Sequence, residues 1–106
     1  MSGGFMGTIS GTVVFSGGPA HIARPGPRPV IGRRIQLVSL TTGAVVATAE
    51  TDAKGRYTIS TRAAEYTLTG PRMGSCELAG HAMGGPNTVV LPPQGVLTQD
   101  IRCHIR

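Results

Sequence analysis

The sequence predicts an all-β fold, a seven-stranded antiparallel Greek-key β-sandwich, and three observations carry that expectation. Sixteen glycines and eight prolines make up over a fifth of the 106 residues while charged residues contribute 14%, a composition suited to short strands joined by turns. Apolar residues recur at every second position through most of the chain, the period of a strand with one buried face. Between two such runs stands ETDAKGRYTI, Glu50 to Ile59, in which an acid and a glycine three positions apart spell a tight reversal.

In chain order, GTISGTVVF sets Ile9, Gly11, Val13 and Phe15 against Thr8, Ser10 and Thr12, which predicts a first strand from Thr8 to Phe15. From Ser16 to Gly32 the text becomes SGGPAHIARPGPRPVIG, whose prolines and glycines exclude a helix or a central strand and predict a long loop. RRIQLVSL resumes the alternation with Ile35 and Leu37 inward, and TTG hands over to AVVATAET to make a hairpin. Asp52 then accepts hydrogen bonds from backbone amides further along the turn, and Gly55 supplies the positive φ that ends it. RYTIS leaves as a strand with Tyr57 and Ile59 inward. YTLTG repeats the pattern with Tyr66 and Leu68, and NTVVL is a short strand between proline-bearing turns. The final run, VLTQDIRCHI, keeps Leu97, Ile101, Cys103 and Ile105 on one parity, with Gln99 as the polar exception.

This length fits a single domain spanning residues 1–106, with a Pro/Arg-rich loop at 16–34. Tryptophan is absent and aromatics are 4%, so the core has to be aliphatic. Each Val, Leu or Ile buried there contributes roughly 1.5–3 kcal/mol, against a chain-ordering cost of similar total size. In so small a domain a covalent staple matters. The two cysteines, Cys76 and Cys103, suggest one disulfide if the compartment is oxidising, with free buried thiols as the alternative.

The residues also carry a resemblance. The order G-T-I-S-G-T-V-V, Pro-rich loop, I-Q-L-V, V-V-A-T-A-E-T-D-A-K-G-R-Y-T-I, E-Y-T-L and I-R-C-H-I-R resembles the transthyretin-like, carboxypeptidase-regulatory-type β-sandwich, notably its small secreted bacterial forms. T-D-A-K-G-R-Y is its most specific part: in that family such a turn joins two strands and places the aromatic in the core. The family's Pro-Gly before the next strand's tyrosine is missing; Ala63-Ala64-Glu65 precedes Tyr66 instead. The resemblance implies an accessory, adhesive or structural module, and it supports pairing of Cys76 with Cys103 near the end of the chain. Urate-product hydrolases of related fold carry His/Arg motifs that this chain lacks. Isopeptide-forming sandwiches need a core lysine, whereas Lys54 falls in the turn.

The formal net charge of +5 rests on ten basic residues, nine of them arginine, against five acidic ones. The loop HIARPGPRPVIGRR presents Arg24, Arg28, Arg33 and Arg34 as candidate partner-binding residues, able to offer bidentate donors to carboxylate, sulfate or phosphate. The alternative is a solvated connector whose charge keeps the sandwich in solution. Nucleic acid is disfavoured as a partner because stacking aromatics and reading motifs are missing. RMGSCELAGHAM gathers Met73, Cys76, His81 and Met83, but no metal-ligand spacing emerges and a disulfide would consume the thiolate. The residues therefore point to no metal and no cofactor, and the carboxylates Glu50, Asp52, Glu65, Glu77 and Asp100 form no catalytic pair by spacing. No run reaches the roughly 18 apolar residues of a membrane span. MSGGFMGTIS lacks the basic-then-apolar layout of a signal peptide, which implies that either a leader has been removed or the chain is not exported this way. The expectation is a non-catalytic binding or structural module of the cell envelope or extracellular space, contacting protein or an anionic polymer and able to form a homo-oligomer or assembly. A component of a virion or similar particle, made without a signal peptide, is the alternative.

Overall fold

Alternation along GTISGTVVF produces a strand longer than the sequence predicts, because β1 runs Met6–Gly17 and serves as the spine of one sheet. The computed structural model describes residues 5–17, 27–72, 74–80 and 87–105, and among them are ten strands in two sheets and no helix. Arg24, like His21, Met73, His81 and Met83, lies outside the described residues, so the proposed soft-ligand cluster and part of the arginine loop do too.

The first half of β1 pairs antiparallel with β5 (Arg56–Arg62) on one side, in the register Ile9↔Ile59, and parallel with β9 (Val96–Thr98) on the other. The second half exchanges both partners. It pairs antiparallel with β2 (Arg28–Pro29) and parallel with β10 (Ile101–Ile105), in the register Val13↔Ile101 to Gly17↔Ile105. β7 (Ser75–Leu78) lies antiparallel on the far side of β10. The second sheet runs β4 (Val45–Glu50), β3 (Arg34–Ser39), β6 (Glu65–Thr69) and β8 (Thr88–Val90), antiparallel throughout.

The sandwich expectation holds, with differences of detail that have physical causes. The sheets are not wholly antiparallel, because the last run of the chain lies alongside β1 in the same direction. Inside the proline-rich loop, Arg28–Pro29 forms a strand after all; it is two residues long and on the sheet edge, where the missing proline amide costs no ladder bond. VLTQDIRCHI divides into β9 and β10 at Gln99 and Asp100, and SCEL, not among the expected strands, forms β7.

The inward residues of both sheets make one aliphatic core: Ile9, Val13, Ile59 and Ile101 from one, Ile35, Leu37, Leu68 and Val89 from the other. Tyr57 and Tyr66 join them, each with its hydroxyl satisfied. Tyr57 donates to the Gln99 carbonyl at 2.5 Å and Tyr66 to the Arg62 carbonyl at 2.6 Å. Burial, helped by the nearby Asp100 charge, pushes the Tyr57 phenol well above its ordinary value. Gln99 points into the core rather than out of it, and its amide donates to the carbonyls of Ala79 and Asp100. Gly11 packs so closely on the Gln99 carbonyl that a Cβ would collide with it.

The turn at residues 52–55 has the chemistry its sequence suggests. Asp52 Oδ1 accepts from the amides of Lys54 at 2.8 Å and Arg56 at 2.9 Å, and those bonds hold its carboxyl below the usual range. Gly55 has φ +78°, and its carbonyl accepts the Val13 amide at 2.7 Å, so the turn is tied to the middle of β1. Cys76 and Cys103 stand directly opposite each other on β7 and β10 and are joined by a disulfide.

Candidate functional site

Alternation along β3 sends Ile35 and Leu37 into the core and leaves Arg34 and Gln36 on the outer face of the four-stranded sheet. Antiparallel register brings Glu50 of β4 opposite Arg34, and Thr69 of β6 opposite Gln36. These four residues floor a cleft of about 420 Å³ at one end of the sheet.

Two short segments wall it. On one side, Gly32 and Arg33 are pinned to buried Thr51: the Gly32 amide donates to the Thr51 carbonyl, the Arg33 amide to the Thr51 hydroxyl at 3.0 Å, and the Thr51 amide returns a bond to the Arg33 carbonyl at 2.9 Å. Gly32 adopts φ +69°, the left-handed conformation that lets the chain enter β3 from this anchor. On the other side runs Gly70–Pro71–Arg72, in which Pro71 is buried and Gly70 packs beside Ile101 and Cys76. The disulfide strand pair thus supports the wall that carries Arg72.

The outcome is one cleft lined by three arginines and a single acidic residue. Among the described residues the one ion-pair contact is His104 Nε2 to Glu77 Oε1 at 3.3 Å, on a different sheet, so none of Arg33, Arg34 and Arg72 makes a direct ion-pair contact with a described carboxylate. Three like charges facing a concave surface raise the local positive potential and favour an anion there. The remaining carboxylates do other work: Asp52 holds its turn, and Asp100 accepts the Thr12 amide at 2.9 Å where β9 gives way to β10.

The three described arginines of the proline-rich loop are therefore divided. Arg33 and Arg34 face the cleft. Arg28, on β2, lines a separate, mostly apolar groove with Phe15, Pro29, Val30 and Ile31, which Arg33 also borders. Arg72 joins the first two from a distant part of the sequence. Its neighbours, Gly70 and Pro71, mark only a turn, and no local pattern signals that the turn meets the start of β3.

No family model matches the chain, and no curated protein matches it significantly. Among solved structures, it is similar to GBS52, the minor pilin of the gram-positive pathogen Streptococcus agalactiae, with a TM-score of 0.66 and 15% sequence identity. The superposition covers 97% of this chain and 46% of the pilin chain, so the present chain spans less than half of that protein. At this identity the likeness is one of fold: the chain is a β-sandwich of the kind found in that pilin.

Proposed function

We propose that this chain is a non-catalytic structural module of an extracellular or cell-envelope assembly, a single domain that works through contacts with protein or an anionic polymer. The observation that carries the reading is the Cys76–Cys103 disulfide, whose Cys103 is fully buried in the core. Such a bond forms and persists in oxidising compartments. Likeness to a minor pilin supports the structural role, and the arginine-lined cleft supplies a contact surface for an acidic partner. Within the sandwich class, the turn at Asp52–Gly55 followed by core Tyr57 supports the transthyretin-like resemblance.

The test is the mass of protein isolated from its native source under alkylating conditions, with and without reductant. Protein from the envelope or medium should resist alkylation until reduced, and then take two labels. Immediate double labelling of protein recovered from inside the cell would overturn the export reading and favour a particle assembled there.

A further inference from the structure

We infer that the cleft walled by Arg33 and Arg72 is a binding site for a carboxylated sugar unit of an acidic polysaccharide. The inference rests on the binding-module reading and names its partner class. It follows from the mixture of groups in the cleft, since a site for bare anions and a site for acidic sugars differ in what surrounds the cations.

Arg33, Arg34 and Arg72 supply planar, bidentate donors without ion-pair partners among the described residues, the chemistry that holds a carboxylate. Between them stand Glu50, Gln36 and Thr69. Glu50 is a liability to a sulfated or phosphorylated polymer, because its carboxylate would face further anionic oxygens. For a sugar it is an asset, since each ring hydroxyl donates a hydrogen bond that Glu50 can accept. Gln36 and Thr69 both donate and accept, as a ring of alternating hydroxyls requires. An acidic peptide fits less well. Apart from Pro71 the cleft has no apolar side-chain lining, so a peptide's side chains would find charge but little to bury against. The volume, about 420 Å³, falls within the roughly 300–1,000 Å³ of small-ligand sites.

The experiment titrates labelled protein with tetragalacturonate, following amide resonances and affinity, with dextran sulfate and polyglutamate as competitors. Shifts should concentrate at residues 32–36, 50 and 69–72. Arg34→Ser and Arg72→Ser should each weaken binding about tenfold, while Arg28→Ser, outside the cleft, should change it less than about twofold. Glu50→Gln gives the decisive sign: it should weaken tetragalacturonate and strengthen dextran sulfate. Retained disulfide and unchanged β-sheet circular dichroism would show that each variant is folded. Absence of binding, shifts centred elsewhere, equal affinity for polyglutamate, or Glu50→Gln strengthening both polysaccharides would overturn the assignment. A chain that is oxidised and exported yet ignores tetragalacturonate would remove this site and leave the structural-module reading standing.

Discussion

Gly55 shows how much one position can hold. Its φ of +78° is matched by Gly43, at +75° in the β3–β4 turn, so any residue with a Cβ is strained at either. Their surroundings differ. A Cβ at Gly43 meets nothing within 4 Å, whereas one at Gly55 would stand 2.7 Å from the Val13 carbonyl and 3.0 Å from Pro29 Cβ. Gly43→Ala should therefore cost about 1 kcal/mol from backbone strain alone, and Gly55→Ala at least about 2 kcal/mol. Denaturant midpoints measure the difference directly; equal midpoints would mean that contact with β1 and β2 contributes nothing. The turn was legible in D-A-K-G because its chemistry is local: a carboxylate reaching amides two and four residues on, and a glycine where φ turns positive. Contact of that glycine with Pro29 was not legible, since the two lie far apart in the sequence.

At the scale of elements, the strands with strict alternation were readable, as was the brief β8 in NTVVL, whereas β2 and β7 were not. β3, β5 and β6 each display two large apolar residues at period two, Ile35/Leu37, Tyr57/Ile59 and Tyr66/Leu68, and all six are buried. β2 and β7 carry only two and four residues, among prolines and glycines, and draw their stability from the strand beside them. Gln99 is the polar exception on the inward parity, and its burial has no local signal because the Ala79 carbonyl that accepts from it arrives through non-local folding. The same residue joins two elements through Tyr57, and that has a pH consequence. The folded-state pKa of Tyr57 is raised, so the folded protein holds a proton that the unfolded chain releases near its ordinary value of about 10. Its contribution is intact below that pH and is lost as pH rises further, because the unfolded state then binds fewer protons. Tyr57→Phe should flatten the fall in stability above about pH 10, while costing about 1 kcal/mol at neutral pH for the lost hydrogen bond to Gln99. Urea midpoints at a series of pH values would show both effects. An unaltered alkaline slope in the variant would place the cause elsewhere.

The pair β7–β10 is the other element-scale dependency. Its disulfide closes a loop of 27 residues, and loss of the crosslink by Cys103→Ser should lower stability by about 2–4 kcal/mol, read as a shift in denaturant midpoint. Since Gly70 and Pro71 pack beside this pair, the same variant should loosen the wall that carries Arg72.

For the whole molecule, the sandwich was predictable from composition and period, but the pairing of its first and last strands was not. Alternation tells which residues face inward and is silent about direction, so parallel contact between β1 and β10 left no mark on either segment. Likewise, the arginine-lined cleft draws Arg33 and Arg34 from one stretch and Arg72 from another, and only the half contributed by the proline-rich loop stood out as a cluster of charge.

The parallel arrangement governs how the module would bear mechanical load. Tension entering at the start of β1 and leaving at the end of β10 pulls these neighbours past each other in shear, so the ladder from Val13↔Ile101 to Gly17↔Ile105 must fail together rather than unzip bond by bond. Should it give way, Cys76–Cys103 carries the load across its loop, and the enclosed segment cannot extend. In single-molecule pulling, reduction should add about 90 Å to the length released on unfolding, since 27 residues separate the two cysteines and each extended residue spans roughly 3.4 Å. An identical release with and without reductant would mean that the force runs along another path. If the gain appears, the disulfide is a strain limiter, letting the module yield under a surge while most of the segment between the two cysteines stays locked.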